Sequence, residues 1–200
     1  MKLYILPGAC SMASNIALHE AGIQFEVSKV DRRTKRADGV DFTTINPKGY
    51  VPALKLDSGQ VLTENVVVLQ YIADLNPAAK LAPAVGTPER YKLLEWLSFI
   101  NSEVHKTFSP LFSSEATEET KTYARNLLTK RLAYVESALG DNKFLMGDQF
   151  TVADAYLFTV LGWGAHANYD ISPKLKSYVE RIKARPAVVA AMTSEGLIKH

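Results

Sequence analysis

The sequence predicts an α/β domain followed by an all-helical domain, and three observations support that prediction. Residues 1–76 consist of short apolar runs that glycine and proline interrupt every few positions. Residues 77–86 are rich in proline and alanine, which is typical of a linker. Residues 87–200 contain long segments rich in Leu, Ala, Lys and Glu at helical spacing. We therefore expect one domain on each side of the linker.

The elements of the first domain alternate between strands and helices. An apolar run that stops at Pro7 and Gly8 predicts a strand, and a segment that closes on Gly22 predicts a helix. Asp57-Ser58-Gly59 lies between two apolar runs and predicts a hairpin. The expected elements are strand 3–6, helix 11–22, strand 25–30, a loop, strands 53–56 and 60–62, and helix 64–75.

The second domain contains four segments with helical spacing. They cover residues 87–112, 117–139, 152–167 and 172–195. The third has a clear start, because Thr151 and Asp154 match a capping box and Phe150 can pack as a hydrophobic staple. We interpret this start as a folding device and assign it no chemistry.

Composition and charge exclude several function classes. The chain has 200 residues, 47% of them hydrophobic and 22% charged, which is ordinary for a globular protein and not for a disordered one. A net charge of +2 is too small for an extended nucleic-acid surface. The N-terminus lacks a secretory h-region, and no apolar run approaches the ~18 residues of a membrane span. We therefore expect a soluble protein with no nucleic-acid or membrane partner.

The only cysteine of the chain, Cys10, stands at the start of the first predicted helix. One cysteine excludes an internal disulfide and a cysteine-based zinc site, and it fits a reducing, cytoplasmic location. The unpaired N–H groups of a helix start favour a thiolate or a bound anion. A dithiol motif would need a second cysteine where Ala13 stands, so only a one-thiol mechanism remains. An inert buried cysteine is the alternative.

Pro52 stands at the mouth of a predicted strand. If the Val51–Pro52 bond is cis, the backbone N–H and C=O of Val51 face outward and can pair with an extended peptide. A simple proline between a loop and a strand is the commoner case.

Several charged side chains are further candidates. At the start of the helix at 64–75, Glu64 could accept hydrogen bonds from an ammonium group, while the N–H and side chain of Asn65 could hold a carboxylate. The alternative for Glu64 is a favourable interaction with the helix dipole. His105 is a candidate base, although a lone helical histidine usually packs or faces solvent. The other histidines, His19, His166 and His200, have no metal-ligand spacing, so we expect no metal.

These pieces, in this order, resemble a bacterial beta-class glutathione S-transferase over essentially the whole chain. The stretches that carry the resemblance are MKLYILPGACS, KVDRRTKRADGVDFTTINPKGYVPAL, LTENVVVLQYIADL, EVHKTFSPLFSS, GDQFTVADAYLF and EGLIKH. INPKG-x-VPAL followed by TE occurs across glutathione-transferase-like proteins. Cys10 together with EVHK is much more specific to the beta class.

The resemblance implies a thioredoxin-like domain that carries the glutathione site, a helical domain that forms most of the hydrophobic-substrate site, and a homodimer. It implies glutathione as a substrate, a small hydrophobic electrophile as co-substrate, and no cofactor. The residues that it assigns to glutathione are Cys10, Lys35, Val51, Pro52, Glu64, Asn65, Glu103, His105 and Lys106; those that it assigns to the hydrophobic substrate are Ala9 and Trp163.

The resemblance also implies individual roles. Cys10 would lie beside the glutathione sulfur and form a mixed disulfide with it, and His105 would lie near the same sulfur as the second catalytic group. Lys35 would contact the glycine carboxylate, and Val51, before a cis Pro52, would pair with the cysteinyl backbone. Glu64 and Asn65 would hold the γ-glutamyl end, Lys106 would line the site, and Glu103 would reach the partner subunit's glutathione.

Three positions depart from the family pattern. Asn65 stands where glycine or serine is usual, Ser98 stands where asparagine is common, and Ser14-Asn15 replaces a Pro-His pair. None of these changes removes a group with an implied catalytic role.

The expected activity is attack by the glutathione thiolate on an electrophilic carbon, with thiol–disulfide exchange through Cys10 as a second reaction. A protein of the same fold that binds glutathione or apolar ligands without turnover is the alternative. A regulatory protein that has lost the site is disfavoured, because Cys10, Lys35 and Glu64 are all present.

Overall fold

The structure is a computed structural model that describes residues 1–198. Lys199 and His200, the last two residues of the EGLIKH stretch, lie outside the described residues. The chain forms two compact units, one of residues 1–82 and 183–200 and the other of residues 83–182. The first unit thus includes the last helix, which the sequence analysis placed in the helical domain.

The first unit is built around a mixed β-sheet. Its strands β1 (Lys2–Ile5), β2 (Glu26–Lys29), β5 (Ala53–Lys55) and β6 (Val61–Thr63) form a sheet in the order β2-β1-β5-β6. β1 is parallel to β2 and antiparallel to β5. Helices α1 (Ser11–Glu20) and α2 (Asn65–Leu75) follow β1 and β6 and pack against each other. This arrangement confirms the predicted βαβ and ββα halves.

The two faces of the sheet have separate packing partners. Leu3 and Leu54 lie opposite each other in the β1–β5 ladder, and both are fully buried. Tyr4 and Ala53, one position along, belong to a second buried cluster that contains Phe42. Phe42 begins a short 3₁₀-helix, so the loop between β2 and β5 packs on the sheet instead of lying in solvent.

The sequence analysis missed a small hairpin in that loop. β3 (Arg36–Ala37) and β4 (Val40–Asp41) pair antiparallel around Asp38 and Gly39. Both turn residues have positive φ, 50° at Asp38 and 80° at Gly39, which is the backbone that an Asp-Gly hairpin turn requires. The sequence had predicted only a loop between the strands at 25–30 and 53–56.

The second unit is helical, with two interruptions that the sequence pattern did not reveal. The predicted segment 87–112 consists of α3 (Pro88–Phe99), a π-helix (Ile100–His105) and α4 (Lys106–Phe112). The predicted segment 152–167 ends as α6 (Val152–Leu161) followed by a 3₁₀ turn at Ala165–Ala167. α5 (Glu118–Leu139) agrees with its prediction closely.

The predicted segment 172–195 is two helices. α7 (Pro173–Lys183) ends before Pro186, which becomes the first residue of α8 (Pro186–Glu195). Proline lacks the backbone N–H that a continuous helix needs but is well suited to a first turn. α8 packs against α1, where Arg185 pairs with Glu20.

The predicted capping box is present at the start of α6. The Asp154 carboxylate accepts hydrogen bonds from the Thr151 N–H at 2.8 Å and the Thr151 hydroxyl at 2.9 Å. It also accepts from the Leu145 N–H and the Tyr178 hydroxyl, both at 2.8 Å. Four donors therefore satisfy a carboxylate that is completely buried.

Candidate functional site

Cys10 lies between the end of β1 and the first turn of α1. Its side chain is half-buried, and its Sγ donates a hydrogen bond to the Val51 carbonyl at 3.2 Å. The preceding residue, Ala9, closes the turn after the strand, with its N–H bonded to the Leu6 carbonyl at 2.9 Å. The thiol is thus held at a helix start, which is the position that the sequence analysis gave it.

The Val51–Pro52 peptide bond is cis. Pro52 is buried directly before β5, and the Val51 carbonyl is the group that meets the Cys10 thiol. The interpretation of Pro52 as an ordinary loop proline is therefore wrong, and the cis bond implied by the resemblance is confirmed.

Glu64 has an unusual backbone at the start of α2. Its φ and ψ are 67° and 115°, a region that non-glycine residues seldom occupy and that is found mostly at functional sites. Its exposed carboxylate pairs with the Lys48 ammonium, whose Nζ lies 2.5 Å from Oε1. Nothing in the sequence pattern had marked Lys48. It lies 16 positions before Glu64, and the loop and hairpin between them bring the two side chains together.

The Asn65 side chain is turned into the protein. Only 6% of Asn65 is exposed, its Oδ1 accepts from the Ser14 hydroxyl at 2.7 Å, and its Nδ2 donates to the Cys10 carbonyl at 3.2 Å. The backbone N–H of Asn65, in the first turn of α2, has no acceptor within the helix. A ligand carboxylate at this position would therefore meet the backbone and not the amide.

Lys35 extends from the loop that precedes the small hairpin. Its backbone is fixed, because its N–H donates to Asp31 O and its carbonyl accepts from Phe42 N, each at 2.9 Å. Its side chain is exposed and its φ is 56°.

In the second unit, a chain of three polar side chains fixes the His105 ring. The Tyr156 hydroxyl donates to Asn101 Oδ1 at 2.9 Å and lies 2.7 Å from His105 Nδ1. Because the hydroxyl has one proton and gives it to Asn101, its oxygen accepts from His105 Nδ1–H. This assigns the Nδ1–H tautomer and leaves Nε2 as the hydrogen-bond acceptor of the ring.

His105 is neutral at physiological pH. Burial, and secondarily the neighbouring Lys106 charge, lowers the pKa of His105 from 6.5 to about 4. Asn101 and His105 both lie in the π-helix, a distortion found frequently at functional sites. Its wider turn presents both side chains to the same hydroxyl of α6.

A cluster of aromatic rings begins beside His105. The Trp163 ring lies 4.8 Å from the His105 ring, centroid to centroid, and Phe108 and Phe112 lie 5.8 Å and 6.1 Å from Trp163. Sequence reasoning found Trp163 but missed the two phenylalanines and Tyr156. The helix that carries Tyr156 is buried on every side, so no apolar stripe distinguished its hydroxyl from a packing group.

Glu103 and Lys106 flank His105 along the chain. The Glu103 carboxylate pairs with Arg131 of α5 at 2.6 Å, and the Lys106 side chain is exposed. Beside this ion pair, a cavity of about 270 Å³ is lined by Glu95, Trp96, Phe99, Arg131 and Tyr134. Ser98, within α3, is exposed.

None of the helices within residues 1–198 is both long enough and apolar enough to cross a membrane. Over the same residues, no cluster of three potential metal ligands was found.

Comparisons with known proteins identify the family of the chain. Residues 8–75 match the family described as "Glutathione S-transferase, N-terminal domain", and residues 99–186 match "Glutathione S-transferase, C-terminal domain". The chain is 46% identical to glutathione S-transferase GstA of Escherichia coli O157:H7, over 98% of this chain and 100% of that protein.

Two solved structures are similar over nearly their whole length. A beta-class glutathione S-transferase of Sphingomonas chungbukensis has a TM-score of 0.95 and 50% identity, over 99% of this chain and 100% of that one. A sphingomonad glutathione S-transferase complexed with glutathione has a TM-score of 0.95 and 49% identity, with the same coverage. The predicted fold class and transferase class are thereby confirmed, and the chain belongs to the glutathione S-transferase family, in which it resembles the bacterial beta class throughout.

Proposed function

We propose that this transferase joins the thiol of glutathione to small hydrophobic electrophiles and also exchanges disulfides through Cys10. The observation that carries the proposal is the contact of the Cys10 thiol with the Val51 carbonyl beside a cis Pro52. This contact places the Cys10 thiol beside Val51, whose backbone the sequence predicts to pair with an extended peptide. A tripeptide with a central cysteine would meet that backbone and that thiol together.

Each part of glutathione has a group of matching chemistry. The outward N–H and C=O of Val51 pair with the cysteinyl backbone, as one strand pairs with another. Glu64 accepts from the γ-glutamyl ammonium, and the Asn65 N–H at the helix start donates to its carboxylate. Lys35 pairs with the glycine carboxylate, while Lys106 lines the site.

Catalysis of conjugation requires the glutathione thiol to ionise near neutral pH. Lowering a thiol pKa from ~8.5 by about two units corresponds to ~2.7 kcal/mol. The start of α1 and the Lys106 charge favour the thiolate, and His105 Nε2 accepts a hydrogen bond from the thiol before ionisation. Because the pKa of His105 is only about 4, the proton passes from the imidazole to solvent. Ala9 and Trp163 contact the electrophile.

The second reaction uses Cys10 itself. The Cys10 thiolate attacks a disulfide between glutathione and another thiol, forms a bond to the glutathione sulfur and releases the other thiolate. A second glutathione thiolate then attacks the mixed disulfide, which yields oxidised glutathione and regenerates the Cys10 thiolate. Overall, the sulfur of the released thiol is reduced and the one glutathione that enters as a thiol is oxidised, so the electrons balance.

We propose that the protein works as a cytoplasmic homodimer in which Glu103 reaches the partner's glutathione. The single cysteine supports the reducing location. As functional segments we propose residues 1–76 for glutathione, 77–86 as the linker and 87–200 for the hydrophobic substrate, although α8 of the last segment packs within the first compact unit. Light scattering at working concentration tests the dimer, and a Glu103→Ala variant with unchanged glutathione affinity would contradict the role of Glu103.

Retention on immobilised glutathione, followed by turnover of an electrophilic aryl halide, tests the proposed activity. We expect specific elution by free glutathione and turnover that saturates with glutathione. Glu64→Gln should lose retention, whereas the matched control Glu118→Gln, exposed at the start of α5, should keep it. Retention without turnover would indicate a non-catalytic glutathione-binding protein. No retention would contradict both the transferase and the glutathione-binding protein.

A further inference from the structure

Helices α1 and α2 are joined at both ends by asparagine amides. At the first end, Asn65 Nδ2 donates to the Cys10 carbonyl at 3.2 Å. At the other end, Asn76, directly after α2, donates its Nδ2 to the Ala21 carbonyl at 2.9 Å. The two bonds are alike in chemistry, but only the first holds a residue of the proposed site.

A buried hydroxyl completes the contact at the first end. Ser14 is fully buried, and its Oγ donates to Asn65 Oδ1 at 2.7 Å. The amide has one possible orientation, because exchanging its oxygen and nitrogen would set Oδ1 against the Cys10 carbonyl, and two acceptors repel. Ser14 therefore fixes the amide, and the amide fixes the Cys10 carbonyl.

Cys10 is consequently held from two directions. Its carbonyl accepts from Asn65, and its thiol donates to the Val51 carbonyl. If the first contact is lost, the first turn of α1 can shift relative to Val51, and the thiol moves with it. A buried hydrogen-bonding group that loses its partner costs its full desolvation free energy. Loss of the contact between Asn65 and Cys10 should therefore alter the proposed site.

We propose that Asn65 and Ser14 are positioning residues for the Cys10 thiol and that the Asn65 side chain is not a ligand of glutathione. This role concerns the free protein. Only its catalytic readout rests on the proposed function, because the reactivity of the thiol can be measured without glutathione.

The test compares Ser14→Ala and Asn65→Ala with Asn76→Ala as a matched control. The first measurement is the rate at which iodoacetamide alkylates Cys10 between pH 5 and pH 10, with no glutathione present. We expect Ser14→Ala and Asn65→Ala to change this rate on the order of fivefold, as one hydrogen bond would. Asn76→Ala should leave it unchanged, although it lowers the melting temperature comparably.

The second measurement separates positioning from binding. Ser14→Ala should lower kcat for thiol exchange and leave the KM for glutathione within about twofold. The double variant Ser14→Ala/Asn65→Ala should be alkylated at the same rate as Asn65→Ala alone, because the hydroxyl acts through the amide. If Asn65→Ala does not fold, Ser14→Ala alone tests the proposal, because it removes only the hydroxyl oxygen.

Two results would overturn the proposal. One is an alkylation rate in both variants that matches Asn76→Ala, which would make the contact purely structural. The other is a large rise in the KM for glutathione in Asn65→Ala with unchanged alkylation, which would make the amide a ligand. Absence of any glutathione turnover in the parent protein would refute the proposed function but leave the alkylation result intact.

Discussion

The two groups proposed to act on sulfur are held in opposite ways. Cys10, in the first unit, is half-buried at a regular helix start, where its thiol donates to the Val51 carbonyl and its own carbonyl accepts from the Asn65 amide. His105, in the second unit, lies in a π-helix, and side chains from two helices fix its ring. The helix start that marks Cys10 can be found from local sequence, whereas the distant side chains that fix the His105 ring cannot.

Removing the thiol should give the largest effect and separate the two reactions. In Cys10→Ala, thiol–disulfide exchange should fall below detection, because no mixed disulfide can form. Conjugation should retain a measurable part of its rate, since its nucleophile is the glutathione sulfur. Parallel assays with a mixed glutathione disulfide and an aryl halide measure both. Equal retention of the two activities would contradict a catalytic Cys10.

Acid should weaken the protein through His105. The pKa is 6.5 in the unfolded chain and about 4 in the folded protein, so the unfolded chain binds more protons between these values. Stability contributed by His105 is therefore present above pH 6.5 and lost as the pH falls towards 4, by about 3 kcal/mol at most. Urea unfolding of His105→Gln should show a smaller loss over this range.

The parent protein, unfolded in urea over the same range from pH 4 to pH 7, provides the control for that measurement. If His105→Gln and the parent protein lose stability in parallel, the imidazole is not buried in its neutral form.

The hydroxyl of Tyr156 should matter for catalysis more than for stability. In Tyr156→Phe, nothing selects the Nδ1–H tautomer, so Nε2 is no longer reserved as the acceptor. We expect kcat for conjugation to fall on the order of tenfold, with little change in the KM for glutathione.

Tyr178→Phe is the matched variant, because this hydroxyl is also completely buried in the second unit and donates to Asp154. It should lower the denaturation midpoint and leave kcat per folded molecule unchanged. Similar kcat losses in the two variants would mean that the Tyr156 effect is general loosening of the helices.

The smallest effect should come from Glu195, whose contribution to stability changes with pH in the opposite direction to that of His105. Burial raises the pKa of Glu195, even though the carboxylate accepts hydrogen bonds from the Gly8 N–H and Asn15 Nδ2. Its contribution to stability is full below the unfolded pKa and declines as the pH rises through the folded one. Relative to the parent, Glu195→Gln should therefore gain stability as the pH rises from 5 to 8; a constant difference would contradict the shift.

Much of the first unit could be predicted because its signals are local. Pro7-Gly8, Asp57-Ser58-Gly59 and the position of Cys10 were sufficient to place the strands, the hairpin and the thiol. Even here the small hairpin at Asp38-Gly39 was missed, because the surrounding charges concealed a turn signal. The Glu64–Lys48 ion pair depends on tertiary folding and has no local signal.

In the second unit, the helices were predictable and their irregularities were not. Pro186 ends one helix and begins the next, but the regular apolar spacing of residues 172–195 predicted a single helix. The π-helix contains no proline or glycine, so nothing in its sequence predicts it. The polar chain from Asn101 through Tyr156 to His105 joins residues 55 and 51 positions apart, beyond any periodic pattern.

The packing of α8 on α1 also sets the order in which the protein can be made. The helix that completes the first unit leaves the ribosome only after all of residues 83–182. Until then, α1 has an uncovered surface and the Gly8 N–H lacks its Glu195 acceptor. The second unit, continuous in sequence, can fold first, while the thiol-bearing unit must wait for closure of a very long loop. In this chain the domain that begins first is the one that finishes last.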